Sequence, residues 1–371
     1  MTLARPLTDG ERLDWLRLAR TQNVGPVTFA QLIARYGDAG RALAALPEIA
    51  ARAVRGKSVA IPPADGIRRE IDAAAKYGAR IVASCEPDFP ALLRALDPPP
   101  PALTLLGNAA LASAPTCAIV GARNASAAGR KIARDMAAAL GKAGYTIVSG
   151  LALGIDGEAH AASLSTGTIA VLGGGIDHVY PPQHDRLYAE IAASGLILSE
   201  MPFGHRAKAQ DFPRRNRIIT GLARGTVVVE AAERSGSLIS ARVANEQGRE
   251  VMAVPGSPLD PRAAGTNNLI RNGAALVRHA GDVLEVLSSL PLLQVSAPPA
   301  DVYDPIHGGG DPIPPSEAAR VREALSPHAM PLDEIARATG IHAARVGAIL
   351  MELELAGEAI TYPGGLAARA V

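Results

Sequence analysis

Asp211-Phe-Pro-Arg-Arg-Asn-Arg-Ile-Ile-Thr-Gly221 is the stretch around which the sequence of this chain is organised. Arg214, Arg215 and Arg217 fall within four residues and precede an apolar run that predicts a buried turn of helix. Six basic residues and one acidic residue lie between positions 204 and 224, whereas the whole chain has a net charge of only +1. A near-neutral protein that concentrates cations in one segment is expected to bind an anion there.

This segment lies inside a regular alternation of strand and helix patterns between residues 116 and 281. The strand patterns are short, continuous apolar runs, as expected where helices cover both faces of a parallel sheet. The predicted strands are Thr116–Val120, Thr146–Ser149, Thr168–Leu172, Gly195–Ser199, Thr226–Glu230, Glu250–Val254 and Ala275–Val277. The alternation predicts an α/β fold with a Rossmann-like doubly wound parallel sheet.

The length of 371 residues predicts two or three domains. Helix patterns in residues 1–80 predict a helical module of the SAM-like or helix-hairpin-helix kind, followed by an extended Rossmann-like domain over 81–295. The turn at Asn23-Val-Gly-Pro26 could hold a DNA phosphate on backbone amides, but a tight corner is the favoured interpretation. Six prolines and three consecutive glycines predict a linker over 296–316, and the patterns in 317–371 predict a winged helix.

The predicted winged helix has the shape of a DNA-binding domain but a negative net charge. Residues 296–371 carry five basic and ten acidic side chains. The predicted recognition helix, His342–Ala356, offers only Arg345, with Glu352 and Glu354 near its end. Because a major-groove reader needs basic phosphate clamps, we expect a protein contact or a structural role here.

Composition narrows the classes of protein. Hydrophobic residues make up 48% of the chain and charged residues 20%, which excludes general disorder. Cys85 and Cys117 fit a reduced cytosolic protein and can build neither a disulfide framework nor a metal cluster. The sequence shows no apolar signal segment and no run near the ~18 apolar residues of a membrane span, so we predict a cytoplasmic protein.

Glycines, serines and one arginine follow the predicted strands, where backbone N–H groups of a parallel sheet converge on ligands. The loop residues predicted to line the site are Gly121, Arg123, Ser149, Gly150, Gly154, Gly173, Gly174, Ser235, Gly236 and Ser237. One glycine-rich loop is weak evidence, since glycine also serves packing. Several such loops at one sheet edge, beside a basic cluster, predict a site shaped for phosphate or nucleotide.

Motifs that the sequence lacks limit the chemistry. It has no Gly-x-x-x-x-Gly-Lys-Ser/Thr, and the first loop places Arg123 where a dinucleotide site needs glycine. No Cys/His set has metal-ligand spacing, so we predict no cofactor and no metal. His160 follows Asp156 by four residues, which could serve acid–base chemistry, although a hydrogen bond that anchors the helix is the favoured interpretation.

Several segments of the chain resemble the DprA/Smf family of DNA-processing proteins over about residues 81–295. They are Val-Gly-Ala-Arg, Val148–His160, Gly173–Pro181, Ser199–Pro202, Phe-Pro-Arg-Arg-Asn-Arg-Ile-Ile and Ser235–Ala241. The resemblance implies a non-catalytic protein that binds incoming single-stranded DNA during natural transformation. It further implies loading of the RecA recombinase, relief of the block by single-strand-binding protein, and a homodimer formed through the Rossmann domain.

Residue by residue, the resemblance places Arg123, Lys208 and the cluster from Phe212 to Arg217 in the DNA pocket; that cluster comprises Phe212, Arg214, Arg215, Asn216 and Arg217. Two roles stay open on the residues alone. Arg217 could instead pair with Glu200 or Glu230, and Phe212 could be a core anchor instead of a stacking surface. Arg214 and Arg215 could also form a plain solvated charge run, a reading that their position beside a helix start disfavours.

Two other functions compete with DNA binding by the Rossmann domain. In a nucleotide-processing hydrolase, Glu230 and the loop Ser235–Ser237 would hold a nucleoside monophosphate. A transcription factor would use the winged helix, but the acidity of residues 296–371 argues against it. We expect Asp156, Glu200 and Glu230 to brace the loops and to catalyse nothing.

Overall fold

Four helices form the N-terminal module of the computed structural model, which describes residues 5–53, 59–290 and 313–370. They are α1 (Asp9–Ala19), α2 (Pro26–Tyr36), α3 (Ala39–Ala53) and α4 (Ala64–Lys76). Thr8 and Glu11 make a capping box that begins α1, and proline in the first turn begins α2. Trp15 and Phe29 meet edge to face, 4.9 Å apart, in the core of this module. The helical module predicted from the sequence is confirmed.

A nine-stranded sheet follows, with helices between most of its strands. Its elements are β1 (Arg80–Ala83), α5 (Ala91–Arg94), β2 (Ala102–Gly107), β3 (Thr116–Val120), α6 (Ala127–Lys142), β4 (Thr146–Ser149), α7 (Ile155–Ser163), β5 (Thr168–Val171), α8 (Asp185–Ser194), β6 (Leu196–Ser199), α9 (Asp211–Gly221), β7 (Gly225–Val228), α10 (Gly236–Glu246), β8 (Glu250–Ala253), α11 (Ala264–Arg271), β9 (Ala275–Leu276) and α12 (Ala280–Ser289).

The strands run in the order β1-β2-β6-β5-β4-β3-β7-β8-β9. All pairs from β6 to β9 are parallel, whereas β2 pairs antiparallel with both β1 and β6. The strand order reverses between β3 and β7, which makes the space beyond their carboxyl ends the switch point where doubly wound sheets bind ligands. The predicted parallel sheet is confirmed; β2 is an addition that the sequence analysis did not predict.

Alternate residues of the strands serve opposite cores, as burial on both faces requires. Cys117 and Ile119 of β3 pack with α6, α7 and α12, whereas Ala118 and Val120 pack with α9 and α10. Burial raises the pKa of the Cys117 thiol to about 12, so this cysteine is an inert part of the core. Helix α9, which carries the arginine cluster, is therefore fixed to the sheet by its apolar face.

The C-terminal part is a winged helix built on a second sheet. It comprises α13 (Pro315–Ala324), β10 (Met330–Pro331), α14 (Leu332–Thr339), α15 (Ala343–Leu355), β11 (Ala359–Tyr362) and β12 (Leu366–Arg369), with strand order β10-β12-β11. Gly340 adopts φ +64° in the turn before α15, a conformation that favours glycine. Helix α13 begins inside the predicted linker 296–316, whose residues up to 312 lie outside the described part of the chain.

Helix α15 packs its C-terminal end against the helical module. Met351 and Leu355 belong to the same apolar cluster as Trp15 and Phe29. The buried Glu354 carboxylate accepts hydrogen bonds from Thr28 Oγ1 and, at 3.1 Å, from the backbone N of Thr361, and Asn23 Nδ2 donates to the Leu355 carbonyl at 3.3 Å. Helix α15 thus has a structural contact with the helical module, in line with one of the two roles expected from its charge. No helix in the described ranges is long and apolar enough to cross a membrane.

Candidate nucleic-acid interface

The loops after β3 and β4 pack against each other at the switch-point edge of the sheet. Gly154 adopts φ +79°, and a Cβ there would overlap the carbonyl oxygens of Ala122 and Arg123. A Cβ on Gly121 would lie 2.6 Å from Ile155 Cγ1. Both glycines are therefore required by loop packing, whatever ligand the edge binds.

Arg215 lies beneath these loops and not on their surface. Only 6% of the residue is exposed, Nη1 donates to the Val171 carbonyl at 2.7 Å, and a Cβ on Gly150 would overlap the guanidinium. Burial lowers the pKa of Arg215 to about 10, opposed by the nearby Asp156 carboxylate, so the group stays a cation at neutral pH. The expectation that Arg215 presents its charge to a ligand is corrected: helix α9 turns this side chain into the sheet edge.

Asp156 and His160 hold the loop after β4 from below. Asp156 Oδ2 accepts from the backbone N of Gly150 at 3.1 Å, and burial raises the pKa of this carboxyl group. The backbone N of Leu151 donates to His160 Nε2 at 3.3 Å, which leaves Nδ1 to donate to Thr168 Oγ1 at 2.7 Å. Burial lowers the pKa of His160 to about 3, so the ring is neutral. The anchoring role favoured for His160 is confirmed.

Other predicted loop residues are also buried. The Ser149 hydroxyl donates to the Ile119 carbonyl at 2.6 Å and is fully covered, so this serine cannot meet a ligand as expected. A Cβ on Gly173 would lie 3.0 Å from Phe212 Cδ1, and one on Gly174 would lie 3.0 Å from the His205 carbonyl oxygen. These glycines let the loop after β5 pass under the segment that leads into α9.

Arg206 is exposed on the segment before α9, and three exposed cations predicted to line the site, Arg123, Lys208 and Arg214, are here called the cationic rim. None of the three makes an ion pair with any residue in the described part of the chain. The Arg123 guanidinium carbon lies 5.3 Å from the centroid of the Phe212 ring, a cation–π contact. Asp211 Oδ2 accepts from the backbone N of Lys208 at 2.8 Å, which ties the Lys208 loop to the start of α9.

Arg217 and Asn216 connect α9 to its neighbours. Arg217 Nη2 pairs with the Glu200 carboxylate inside the fold, so the alternative role left open for Arg217 is the one observed. Asn216 Nδ2 donates to the Gly236 carbonyl at 3.5 Å, a long contact that brings α9 beside the start of α10. At the start of α10, the Ser235 hydroxyl accepts a hydrogen bond from the backbone N of Ser237 at 3.4 Å. The hydroxyl oxygens of the two serines lie 2.7 Å apart, and Ser237 is buried.

Both carboxylate oxygens of Glu230 accept hydrogen bonds at the switch point. One of its carboxylate oxygens accepts from the backbone N of Ser126 at 2.9 Å and the other from the Ser126 hydroxyl at 2.5 Å. Gly129 packs directly on this carboxylate. The bracing role predicted for Glu230 is confirmed, as it is for Asp156 and for Glu200.

Two exposed residues were missed by the sequence analysis. The Tyr180 ring lies 5.3 Å from the Phe212 ring and is 49% exposed, and Arg234 is exposed on the loop that leads into α10. A signal for Tyr180 existed: aromatics form only 3% of the chain, so one that follows a glycine-rich loop stands out.

A cleft of about 670 Å³ opens beside Arg123, between α6, α7 and α8. The other two arginines that line it are paired, unlike those of the rim: Arg130 lies 3.7 Å from the Glu158 carboxylate, and Arg186 lies 2.9 Å from that of Glu190. Across the described ranges, His, Cys, Asp and Glu form no group of three able to hold a metal ion.

A doubly wound sheet with a cationic switch-point edge, set between a helical module and a winged helix, defines a class of three-part Rossmann-fold proteins. Family models match each part: DNA recombination-mediator protein A over residues 80–288, the DprA-like N-terminal HHH domain over 9–73, and the DprA winged helix domain over 309–365. The chain belongs to the DprA/Smf family.

Known relatives cover most of the chain. Protein Smf from Synechocystis is 34% identical over 96% of this chain and 98% of its own length. DNA processing protein DprA from Bacillus subtilis is 40% identical over 59% of this chain and 75% of its own length. The solved structure of DprA from Streptococcus pneumoniae has a TM-score of 0.61 and 35% identity, covering 76% of this chain and 98% of that one. DprA from Helicobacter pylori has a TM-score of 0.53 and 29% identity, covering 57% of this chain and 95% of that one. Its structure is described as showing a single-stranded DNA binding mode.

Proposed function

We propose that this chain binds single-stranded DNA along the cationic rim and does so without catalysis. The observation that carries the proposal is the rim itself: Arg123, Lys208 and Arg214 are exposed at the switch-point edge, free of ion pairs to the described residues, in a chain of net charge +1. Cations that have no internal partner are available to phosphates, whose charge dominates nucleic-acid affinity. The single-stranded DNA binding mode of the Helicobacter pylori relative supports the choice of ligand.

The buried residues of the site form a layer beneath the cationic rim, here called the floor. Arg215, Ser149, Gly150, Gly154 and Gly173 fix the loops on which the rim stands. Gly121, Gly174, Asn216, Arg217, Ser235, Gly236 and Ser237 border that floor or link α9 to α10. A rigid floor lowers the cost of ordering the exposed side chains when the ligand arrives.

In the cell, the proposed role is that of a recombination mediator in the cytoplasm. The protein would protect incoming single strands during natural transformation and load RecA recombinase onto them, relieving the block by single-strand-binding protein. It would act as a homodimer through the Rossmann domain. The family's description as a recombination mediator supports this role.

The enzymatic alternative lacks a free carboxylate at the place it needs one. A nucleoside monophosphate hydrolase would use Glu230 at the sugar, yet both Glu230 oxygens are taken up by Ser126. In the neighbouring cleft, Glu158 and Glu190 pair with arginines. We therefore expect no release of free base when the protein is incubated with nucleoside monophosphates.

A salt titration with single- and double-stranded oligonucleotides tests the binding proposal. Three phosphate contacts predict a log–log slope of about −2 for single strands, since each contributes about 0.7. Arg123→Ala and Arg214→Ala should each weaken binding and make the slope shallower by about 0.7. Arg278→Ala is the matched control, because Arg278 is an exposed arginine that pairs with Asp282 after β9, the strand at the far edge of the sheet.

Equal affinity for duplex and single strand, or unchanged slopes in both rim variants, would overturn the site. A second measurement addresses the mediator role: assembly of RecA on DNA coated with single-strand-binding protein. The wild-type chain should accelerate this assembly, and the double variant Arg123→Ala/Arg214→Ala should not. Acceleration by the double variant would separate RecA loading from the rim.

A further inference from the structure

Aromatic rings are scarce in this chain, yet two ring pairs border the segment that leads into α9. The chain has seven tyrosines, four phenylalanines and one tryptophan. Tyr180 pairs with Phe212 at 5.3 Å, with their planes inclined by 40°, and Tyr77 meets Phe203 edge to face at 5.7 Å. In contrast to Trp15, which is buried in the helical module, Tyr180 leaves 49% of its surface in solvent.

Phe212 is held in place from several directions. The Gly173 backbone lies against its edge, at a distance where a Cβ would come within 3.0 Å of Cδ1, and the Arg123 guanidinium lies 5.3 Å from the ring centroid. Tyr180 completes this group. Phe212 is therefore held in a fixed position while partly exposed, and Tyr180 is the ring that offers more open surface beside the rim.

We propose that Tyr180 is a stacking surface for a nucleobase of the strand whose phosphates the cationic rim binds. The inference rests on the proposed function and adds to it a contact with a base. Every base has an aromatic face, so stacking on a tyrosine adds affinity without sequence preference. Arg123 contacts the Phe212 ring, which Tyr180 also contacts, and its guanidinium can bind the phosphate next to the stacked base.

Three substitutions separate stacking from packing and from charge. Tyr180→Phe keeps the aromatic ring. Tyr180→Leu removes the ring but keeps an apolar side chain packed against Phe212, and Tyr180→Ala removes the ring and this packing. We expect Tyr180→Phe to bind oligo(dT) like the wild type, whereas Tyr180→Leu and Tyr180→Ala bind about tenfold more weakly. The salt slope should stay unchanged in all three, because no cation is lost. Thermal unfolding of each variant shows whether the fold is retained.

Oligonucleotides with a single abasic position give a direct reading of the contact. When the missing base is the one that stacks, wild-type affinity should fall about tenfold, and Tyr180→Leu should show no such dependence on position. Tyr180→Trp adds a fluorescent signal that oligo(dT) should quench. The native Trp15 gives a constant background, since it is buried and donates to the Pro101 carbonyl at 2.8 Å.

The outcomes distinguish this inference from the proposed function. If Tyr180→Leu binds as tightly as the wild type while Arg123→Ala makes the salt slope shallower, the stacking role is wrong and the DNA site stands. A shallower slope in Tyr180→Leu would also overturn the stacking role, because the effect would then come from displaced cations. If neither Tyr180 nor Arg123 variants change binding, the site itself fails. Should Tyr180→Ala unfold, the Leu and Phe variants decide.

Discussion

The three cations of the cationic rim face solvent, whereas two arginines of the winged helix, Arg345 and Arg322, contact carboxylates. Arg345 Nε lies 2.5 Å from Glu317 and Arg322 Nε lies 2.5 Å from Glu358. The rim residues Arg123 and Arg214 make no ion pair within the described part of the chain. Arg320, Arg337 and Arg369 of the winged helix are also exposed and make no ion pair with the described residues, so the two regions differ in net charge more than in the exposure of their cations.

We infer from this difference that the net charge of a region, more than its type of fold, decides where a polyanion binds. Exposed ion pairs are individually weak, about 0–1 kcal/mol, so pairing alone would not keep Arg345 from a phosphate. The whole of residues 296–371 is acidic, however, with ten acidic and five basic side chains. Glu354 lies in the contact between α15 and the helical module, where its hydrogen bonds serve the fold.

A second contrast lies within the arginine cluster and leads to the largest expected effect. Arg215→Gln should lower the free energy of unfolding by about 3–5 kcal/mol, because it leaves the Asp156 carboxylate buried without its cation. Arg214→Gln, one residue away and exposed, should change that free energy by less than about 0.5 kcal/mol and yet weaken single-strand binding. Denaturant unfolding and salt titration of both variants provide the measurements. An Arg215→Gln variant that folds normally but has a shallower salt slope would show that this guanidinium reaches DNA.

We expect the stability of the fold to fall at acidic pH because of the buried residue His160, which lies below the rim. The pKa of His160 is about 3 in the fold, against an ordinary value of 6.5, so the unfolded chain binds a proton in the window between them and the folded chain does not. Stability from His160 is therefore complete above pH 6.5 and is lost as pH falls, by about 3 kcal/mol between pH 6.5 and 4 at 1.36 kcal/mol per unit. His184 and Arg215, which face the ring, also disfavour its protonation.

Thermal unfolding across this pH range, with His160→Gln as the comparison, measures the effect. The wild type should lose stability on acidification more steeply than His160→Gln. The raised pKa of Asp156 acts in the opposite direction and is common to both proteins, so the difference between the two curves isolates the histidine. Parallel curves would mean that the ring is not held neutral.

Most of the fold could be predicted from the sequence, because buried strands and amphipathic helices alternate without interruption between residues 116 and 281. Strand β2 could not: it follows Pro98–Pro101 directly, a run that indicates a break, and its place beside β6 depends on a partner about ninety positions later. The packing of α15 on the helical module was equally hidden, since it joins opposite ends of the chain.

The site could be predicted as a region but not residue by residue. Successive residues of a helix point about 100° apart, so only one of Arg214 and Arg215 can share the buried face of α9. Arg215 does, because it precedes the buried Ile218 and Ile219 by three and four residues, a spacing that the sequence analysis did not use. The space that the Arg215 side chain occupies is formed by Gly150, directly after β4, and by Val171 at the end of β5, which no local pattern predicts. Glycines gave the same ambiguity: Gly154 and Gly173 look like ligand loops in sequence, and in the structure they make room for neighbouring chain.

A smaller effect is expected at the contact between the winged helix and the helical module. Glu354→Ala should lower the free energy of unfolding by about 2 kcal/mol, because Thr28 and Thr361 lose their acceptor in a buried place. Glu317→Ala, which removes the half-exposed partner of Arg345, is the control and should cost less than about 1 kcal/mol. Neither variant should alter the affinity for single strands; a loss in Glu354→Ala alone would tie this contact to DNA binding.

The smallest effect is expected at Arg345, and it tests the comparison most directly. Arg345 is the one cation of α15, and its guanidinium already contacts Glu317. Arg345→Ala should therefore change the affinity for single strands and for duplex by less than about twofold and leave the salt slope unchanged. Arg123→Ala on the same oligonucleotides provides the reference, with its slope shallower by about 0.7. A similar change of slope in Arg345→Ala would falsify the rule drawn from the two regions, since it would show a paired arginine of an acidic winged helix giving up its carboxylate to bind a phosphate.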